Sequence, residues 1–137
     1  GVLAHVVTGA CVDAAEGSPK PGNKVRARYC EQGRAAQVHV LDAGGRLLLG
    51  ASGLCMSAVE AGESATFESC GAAADAWSWS NPVRQVGGIG QLWLKGTSDC
   101  LVALQEENAN ESLPLALQPC RQRGAEDQIW RWEPEAG

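Results

Sequence analysis

The sequence predicts an all-β chain closed around a pseudo-threefold axis, a β-trefoil, on three observations. A unit of about 44 residues recurs three times along the 137-residue chain. Each unit breaks at Gly, Ser, Asn and Pro turns into short segments with strand-like alternation. Each also holds two cysteines, Cys11 and Cys30, Cys55 and Cys70, Cys100 and Cys120. Three such units leave exposed sheet edges if they stand apart, and none if they close into one barrel.

The repeat is clearest around the first cysteine of each unit. LAHVVTGACVDA, LLLGASGLCMSA and LWLKGTSDCLVA each run from an apolar start through a small-residue turn to cysteine, an apolar residue, a variable one and alanine. Their cysteines lie 44 and 45 residues apart. KVRARYC, ATFESC and LPLALQPC then lead to the second cysteine, followed by QVHV, WSWS and QIWRW. Agreement at a nearly constant period marks an internal repeat. It divides a single domain, residues 1–137, into units of about 1–44, 45–89 and 90–134. Turns at 17–23, 42–45 and 86–90 and a polar loop at 106–112 separate the segments. Leu47-Leu48-Leu49 and Leu92-Trp93-Leu94 are the strands expected to meet on the axis of a six-stranded barrel capped by three hairpins.

Six cysteines allow many pairings, and the repeat selects the one within units: Cys11–Cys30, Cys55–Cys70 and Cys100–Cys120. Each closed loop constrains the unfolded chain by roughly 3 kcal/mol in the entropy model. Three bridges imply an oxidising compartment, and hence a secreted or extracellular protein or receptor ectodomain. There is no Cys-x-x-Cys pair, and His5 and His39 sit at no zinc-like spacing, so neither a metal nor another cofactor is expected. Asn110-Glu111-Ser112 is an N-glycosylation sequon, which makes Asn110 a candidate glycan carrier.

Composition narrows the function classes. Apolar residues make up 45% of the chain, as in globular domains, and no apolar run is long enough to insert in a membrane. The net charge is −5 and the basic residues are scattered, which argues against a nucleic-acid partner. The chain starts with neither an initiator methionine nor a signal peptide, as a mature or excised piece would. No nucleophile elbow, phosphate loop or paired acids in context are present, so catalysis is not expected. Gly87-Gly88-Ile89-Gly90 lacks a strand–loop–helix setting, and the acids at 60–63 and 106–108 read as solvated loops.

Cysteine followed two residues on by aspartate, a second cysteine, then Gln-x-Trp, in three weakened copies, resembles the ricin B-type (R-type) lectin domain. The resemblance spans residues 3–132, and the degenerate motifs are similar to the cysteine-rich amino-terminal domains of the mannose-receptor family. It implies a non-catalytic module that binds glycans or glycoproteins through one or two shallow pockets. The sugars implied are of the galactose and N-acetylgalactosamine type, or anionic. In such a pocket an aspartate two residues after the first cysteine accepts two sugar hydroxyls, and an aromatic before the second cysteine stacks on the apolar sugar face. An Asn-Gln pair completes the polar ring. Sugars offer both kinds of surface, so the chemistry is reasonable in its own right.

By this resemblance the first unit is half furnished. Asp13 and Gln37 are in place, Arg28 stands at the stacking position with Tyr29 beside it, Ala36 replaces the asparagine, and His39 replaces the tryptophan. Arg26, Arg28 and Arg34 cluster around Cys30, where they suggest contact with an anionic substituent. The second unit has Ser57 for the aspartate and Glu68 at the stacking position. Trp79 is there expected as the core tryptophan, and Trp77, in the glutamine's place, as a candidate stacking surface. The third unit keeps Gln128 and Trp130 but has Val102 for the aspartate and Gln118 for the aromatic. Valine cannot pair with hydroxyls, and leaving each unpaired costs on the order of 1–3 kcal/mol. Gln128, Trp130, Trp79 and His39 are expected to pack the core. Two functions fit: a glycan-binding module, or a trefoil whose sugar sites have decayed and whose partner is a protein.

Overall fold

Why this chain closes is visible in its ladders. In the computed structural model the described residues are 1–14, 20–42, 44–50, 52–58, 64–71, 77–79, 88–104 and 112–133, with the side chains of Ser78 and Trp79 left aside. They form short strands, as a chain punctuated by turn residues must: β1 (Val2–His5), β2 (Cys11–Asp13), β3 (Asn23–Lys24), β4 (Arg26–Arg28), β5 (His39–Leu41), β6 (Leu47–Leu49) and β7 (Cys55–Ser57). The rest are β8 (Thr66–Glu68), β9 (Trp77–Trp79), β10 (Ile89–Leu94), β11 (Asp99–Ala103), β12 (Ser112–Pro119) and β13 (Ile129–Glu133).

All the strand pairs are antiparallel, and β1, β2, β4, β12, β11, β10 and β13 close a ring. The ring holds seven strands where the sequence suggests six. It closes through β12, whose Ser112–Pro114 part pairs with β4 while its Leu115–Pro119 part pairs with β11. A second sheet runs β3-β8-β7-β6-β5 and joins the ring by a bridge between Ser64 and Ala116. Closure hides the backbone groups that open edges would expose. The fold is an all-β β-trefoil.

Threefold symmetry shows most plainly in the core. Leu3, Leu47 and Leu92 hold equivalent places ahead of the first cysteine of each repeat, and Val12, Met56 and Leu101 follow it; all six are buried. Val25, Ala65 and Leu115, each five residues before a second cysteine, are fully buried. They are linked in sequence around the axis, Val25 N donating to Ala65 O and Ala65 N to Leu115 O, both at 2.9 Å. Their sizes differ, as do those of Ala27, Phe67 and Leu117, so large side chains in one repeat meet small ones in another. The disulfides lie within repeats, Cys11–Cys30, Cys55–Cys70 and Cys100–Cys120. Leu47, Leu49, Leu92 and Leu94 point inward, while Leu48 and Trp93 are half-buried, the alternation of a one-sided strand.

The register corrects one expectation. His39 pairs with Leu49, Trp130 with His5, and Trp77 with Leu94, and each partner stands six residues before a first cysteine. Trp77, not Trp79, therefore holds the core ring position of the second repeat. It is 2% exposed, so it offers no stacking surface to a ligand. Its amide donates to Gly45 O at 2.7 Å, and a Cβ at Gly45 (φ +92°) would lie 2.5 Å from Trp77 O. Only glycine allows that approach. Trp79 pairs with Leu92 through its backbone, and its side chain lies outside the described residues, as does Asn110. Replacing Trp77 by Ala should lower unfolding free energy by about 3–5 kcal/mol in urea titration, as for a core aromatic. A surface stacking residue would change it by no more than about 0.5 kcal/mol.

Candidate functional site

The glutamine of each well-formed motif straps the chain on both sides of a second cysteine. Gln37 Oε1 accepts from Glu31 N at 2.9 Å, and its Nε2 donates to Tyr29 O at 2.9 Å. Gln128 repeats this with Arg121 N at 3.0 Å and Pro119 O at 2.8 Å. Both glutamines are buried at the end of a 3₁₀ turn, Ala35–Gln37 in one repeat and Glu126–Gln128 in the other. A buried amide needs its partners, and here the backbone beside each disulfide supplies them. The strap is structural in both repeats.

In the first repeat it is also something more. Gln37 Nε2 donates to Asp13 Oδ2 at 3.0 Å, so one amide joins Asp13 to the backbone of Tyr29. Asp13 ends β2 with a fully buried side chain, and Arg34 closes over it: Nε lies 2.7 Å from Oδ2, and Nη2 lies 3.4 Å from Oδ1. The pair raises the Arg34 pKa above its usual value, the hydrogen bond to Asp13 being the main cause. Arg34 reaches Asp13 from a turn in which Gly33 takes φ +79° and Arg34 N donates to Glu31 O. Glu31 Oε2 stands 3.7 Å from Arg34 Nη1 on the outer side.

The other first-repeat candidates lie on the rim. Tyr29 is 56% exposed, and the Arg28 guanidinium sits 4.8 Å from its ring centroid, within cation–π range. Arg26 Nε donates to Ser112 Oγ at 2.6 Å. The three arginines grouped by the sequence are thus engaged in different ways, and Arg34 faces two carboxylates. In the second repeat Ser57 is half-buried, and Thr66 Oγ1 donates to Glu68 Oε2 at 2.8 Å. Val102 in the third is fully buried, as a core residue should be. Asp13, Gln37 and Tyr29 are brought together; Trp77 lies in the core of another repeat. Arg34 as the partner of Asp13, and Glu31 behind it, are what residue-by-residue reading missed. A comparison across repeats holds the signal, for the position four after the second cysteine is Arg34, Ala74 and Gly124.

His39 takes the ring position that Trp130 holds in the third repeat. Its Nε2 lies 3.0 Å from Val12 O, so Nε2 carries the proton and Nδ1 is left without a partner among the described residues. Its ring stacks on Phe67 at 6.0 Å between centroids. Burial pushes its pKa down to about 4. His5, buried against Trp130 and paired with Thr8 Oγ1, has its pKa lowered by burial as well. Both are packed, neutral histidines. Among the described residues no group of three or more His, Cys, Asp or Glu is placed to hold a metal ion.

Comparison with known proteins identifies this arrangement. Residues 1–130 match the ricin-type beta-trefoil lectin domain. The chain belongs to that family. Its sequence matches none of the curated proteins, but its backbone is shared widely. The solution structure of the mdaA-1 domain superposes with a TM-score of 0.80 at 18% identity, covering 94% of this chain and 85% of the other. The C-half of the earthworm R-type lectin, solved in complex with GalNAc, gives 0.79 at 14%, covering 98% and 97%. The Macrolepiota procera ricin B-like lectin, solved with lactose, gives 0.73 at 15%, covering 96% and 93%. At these identities the likeness is one of fold. What the described residues of the first repeat offer a ligand is hydrogen bonding and an exposed tyrosine.

The histidines make stability depend on pH. His39 has a folded pKa of about 4 against 6.5 for the free side chain, so between those values the unfolded chain binds a proton that the folded one does not. Stability is then complete above about pH 6.5 and falls on acidification, by up to about 3 kcal/mol from this residue. Urea unfolding at a series of pH values should show the loss. His39→Gln, which keeps a donor for Val12 O and cannot titrate, should flatten the curve; an unchanged slope would exclude His39 as its source.

Proposed function

We propose that this domain is a non-catalytic carbohydrate-binding module that takes a neutral sugar of the galactose type on its first repeat. The observation that carries the proposal is that the Gln37 amide joins Asp13 to the backbone carbonyl of Tyr29, an exposed aromatic of the same repeat. The second and third repeats have Ser57 and Val102 in place of the carboxylate. Membership of a lectin family supports the reading, as do relatives of the same fold solved with GalNAc and with lactose. A neutral ligand is favoured over an anionic one because Arg34 already lies between Asp13 and Glu31. The narrower resemblance to the mannose-receptor branch rests on motif degeneracy, and the sugar reading does not depend on it. Three disulfides support a secreted or extracellular setting.

One observation favours the second reading, a trefoil that binds a protein. The Asp13 carboxylate has no solvent-exposed surface and is held by Arg34 and Gln37. Capture of a secreted partner that survives glycosidase treatment of that partner would support it.

Titration calorimetry with GalNAc and lactose decides between them. The sugar reading expects one weak site, with Kd around 1 mM, an affinity ordinary for a single shallow pocket. Tyr29→Ala should weaken it by about tenfold, since the ring is the apolar platform. Raising salt from about 50 to about 500 mM should leave the affinity nearly unchanged, as expected when no charge pair forms with the ligand. A folded domain silent to both sugars at about 10 mM would overturn the proposal.

A further inference from the structure

We infer that Arg34 is the specificity-determining residue of the first-repeat pocket. Its guanidinium occupies the carboxylate that a sugar diol would take, so only a ligand able to displace it gains Asp13. This rests on the sugar reading of that pocket.

The geometry is that of a ligand mimic. Arg34 presents two N–H donors, one to each Asp13 oxygen, at 2.7 and 3.4 Å. Two adjacent sugar hydroxyls would present two O–H donors to the same pair of oxygens. Both cannot be satisfied at once. The layering also favours Arg34 as the gate, for its side chain is 25% exposed while that of Asp13 is 0%. A sugar approaching from solvent meets the guanidinium first.

The internal repeat supplies an independent comparison. Where the carboxylate is present, as Asp13, the position four past the second cysteine is Arg34; where it is Ser57 or Val102, that position is Ala74 or Gly124. The guanidinium goes with the carboxylate it covers, in agreement with the need of a buried charge for a partner.

Arg34 also has somewhere to go. It sits on a turn next to Gly33 rather than in a strand, and Glu31 Oε2 is already 3.7 Å from its Nη1. Swinging outward to Glu31, which is 39% exposed, lets the guanidinium keep a counter-charge while it uncovers Asp13, which Gln37 still holds. Gln37 would stay in place throughout, because its bonds to Tyr29 O and Glu31 N do not involve Arg34. The closed arrangement lowers apparent affinity by the fraction of molecules that are open.

The test is calorimetry with GalNAc and lactose on the wild-type domain, Arg34→Ala, Arg34→Gln and Glu31→Gln, with a thermal melt of each to establish folding. Arg34→Ala and Arg34→Gln should bind about tenfold or more tightly than wild type, since no guanidinium then competes with the sugar for Asp13. Glu31→Gln, a surface change, should weaken wild-type binding by about threefold because the open position loses its charge partner. If the Arg34 variants fail to fold, Glu31→Gln decides, and unaltered affinity there overturns the inference. Weaker binding by folded Arg34 variants would show that Arg34 itself holds the sugar, and would also overturn it. Equal binding by all variants, still lost in Tyr29→Ala, refutes the gate and leaves the sugar site standing. No binding by any folded variant removes the sugar reading, and the gate falls with it.

Discussion

One hydrogen bond, made three times, ties the last strand of each repeat to the strand that holds its first cysteine. In each repeat a buried ring nitrogen meets the carbonyl of the residue after the first cysteine: His39 to Val12 at 3.0 Å, Trp77 to Met56 at 3.3 Å and Trp130 to Leu101 at 2.9 Å. A carbonyl so far from water needs a donor, and the surrounding core needs bulk. Indole meets both needs, and the Nε2–H form of imidazole meets the first with less volume. Among Ala27, Phe67 and Leu117, which occupy equivalent sites, it is the largest, Phe67, that stacks on the smallest ring, His39. Core volume is thus kept across repeats rather than within each one.

The same economy joins fold and site. Gln37 and Gln128 do identical structural work beside their disulfides, yet Gln37 also holds Asp13. The candidate pocket is therefore built from a strap that the fold needs in any case, with Asp13 and Arg34 added to it. Where the added carboxylate is replaced by Val102, the strap persists and an apolar side chain fills an equally buried position. Degeneration of a pocket and preservation of the fold are compatible because they depend on different atoms of one motif.

The fold is legible in the sequence because the cysteines and the residues around them recur at nearly fixed spacing, so every buried trio can be counted from them. Trp77 is the instructive failure. Trp77 and Trp79 are two residues apart and share a strand face by alternation, so periodicity cannot say which one is the core ring. The stretch from the second cysteine to the ring varies in length between repeats, which removes the other landmark. Only the pairing of Trp77 with Leu94 settles it. Of the candidate site, the grouping of Asp13, Gln37 and Tyr29 is legible in the sequence. That Arg34 turns back across 21 residues to cover Asp13 depends on the turn at Gly33, and side-chain direction from a turn is not written in any period.

The ladder between β1 and β13 has a mechanical meaning. Val2 lies opposite Glu133 and His5 opposite Trp130, so the outer ends of the two strands lie side by side. Tension applied at those ends would load one pair of residues at a time, like a zipper, instead of shearing the whole ladder together. Each disulfide is confined to one repeat, so none bridges this seam. The closed ring of strands therefore has a definite line along which it opens under load, and loops within each repeat that covalent bonds prevent from extending.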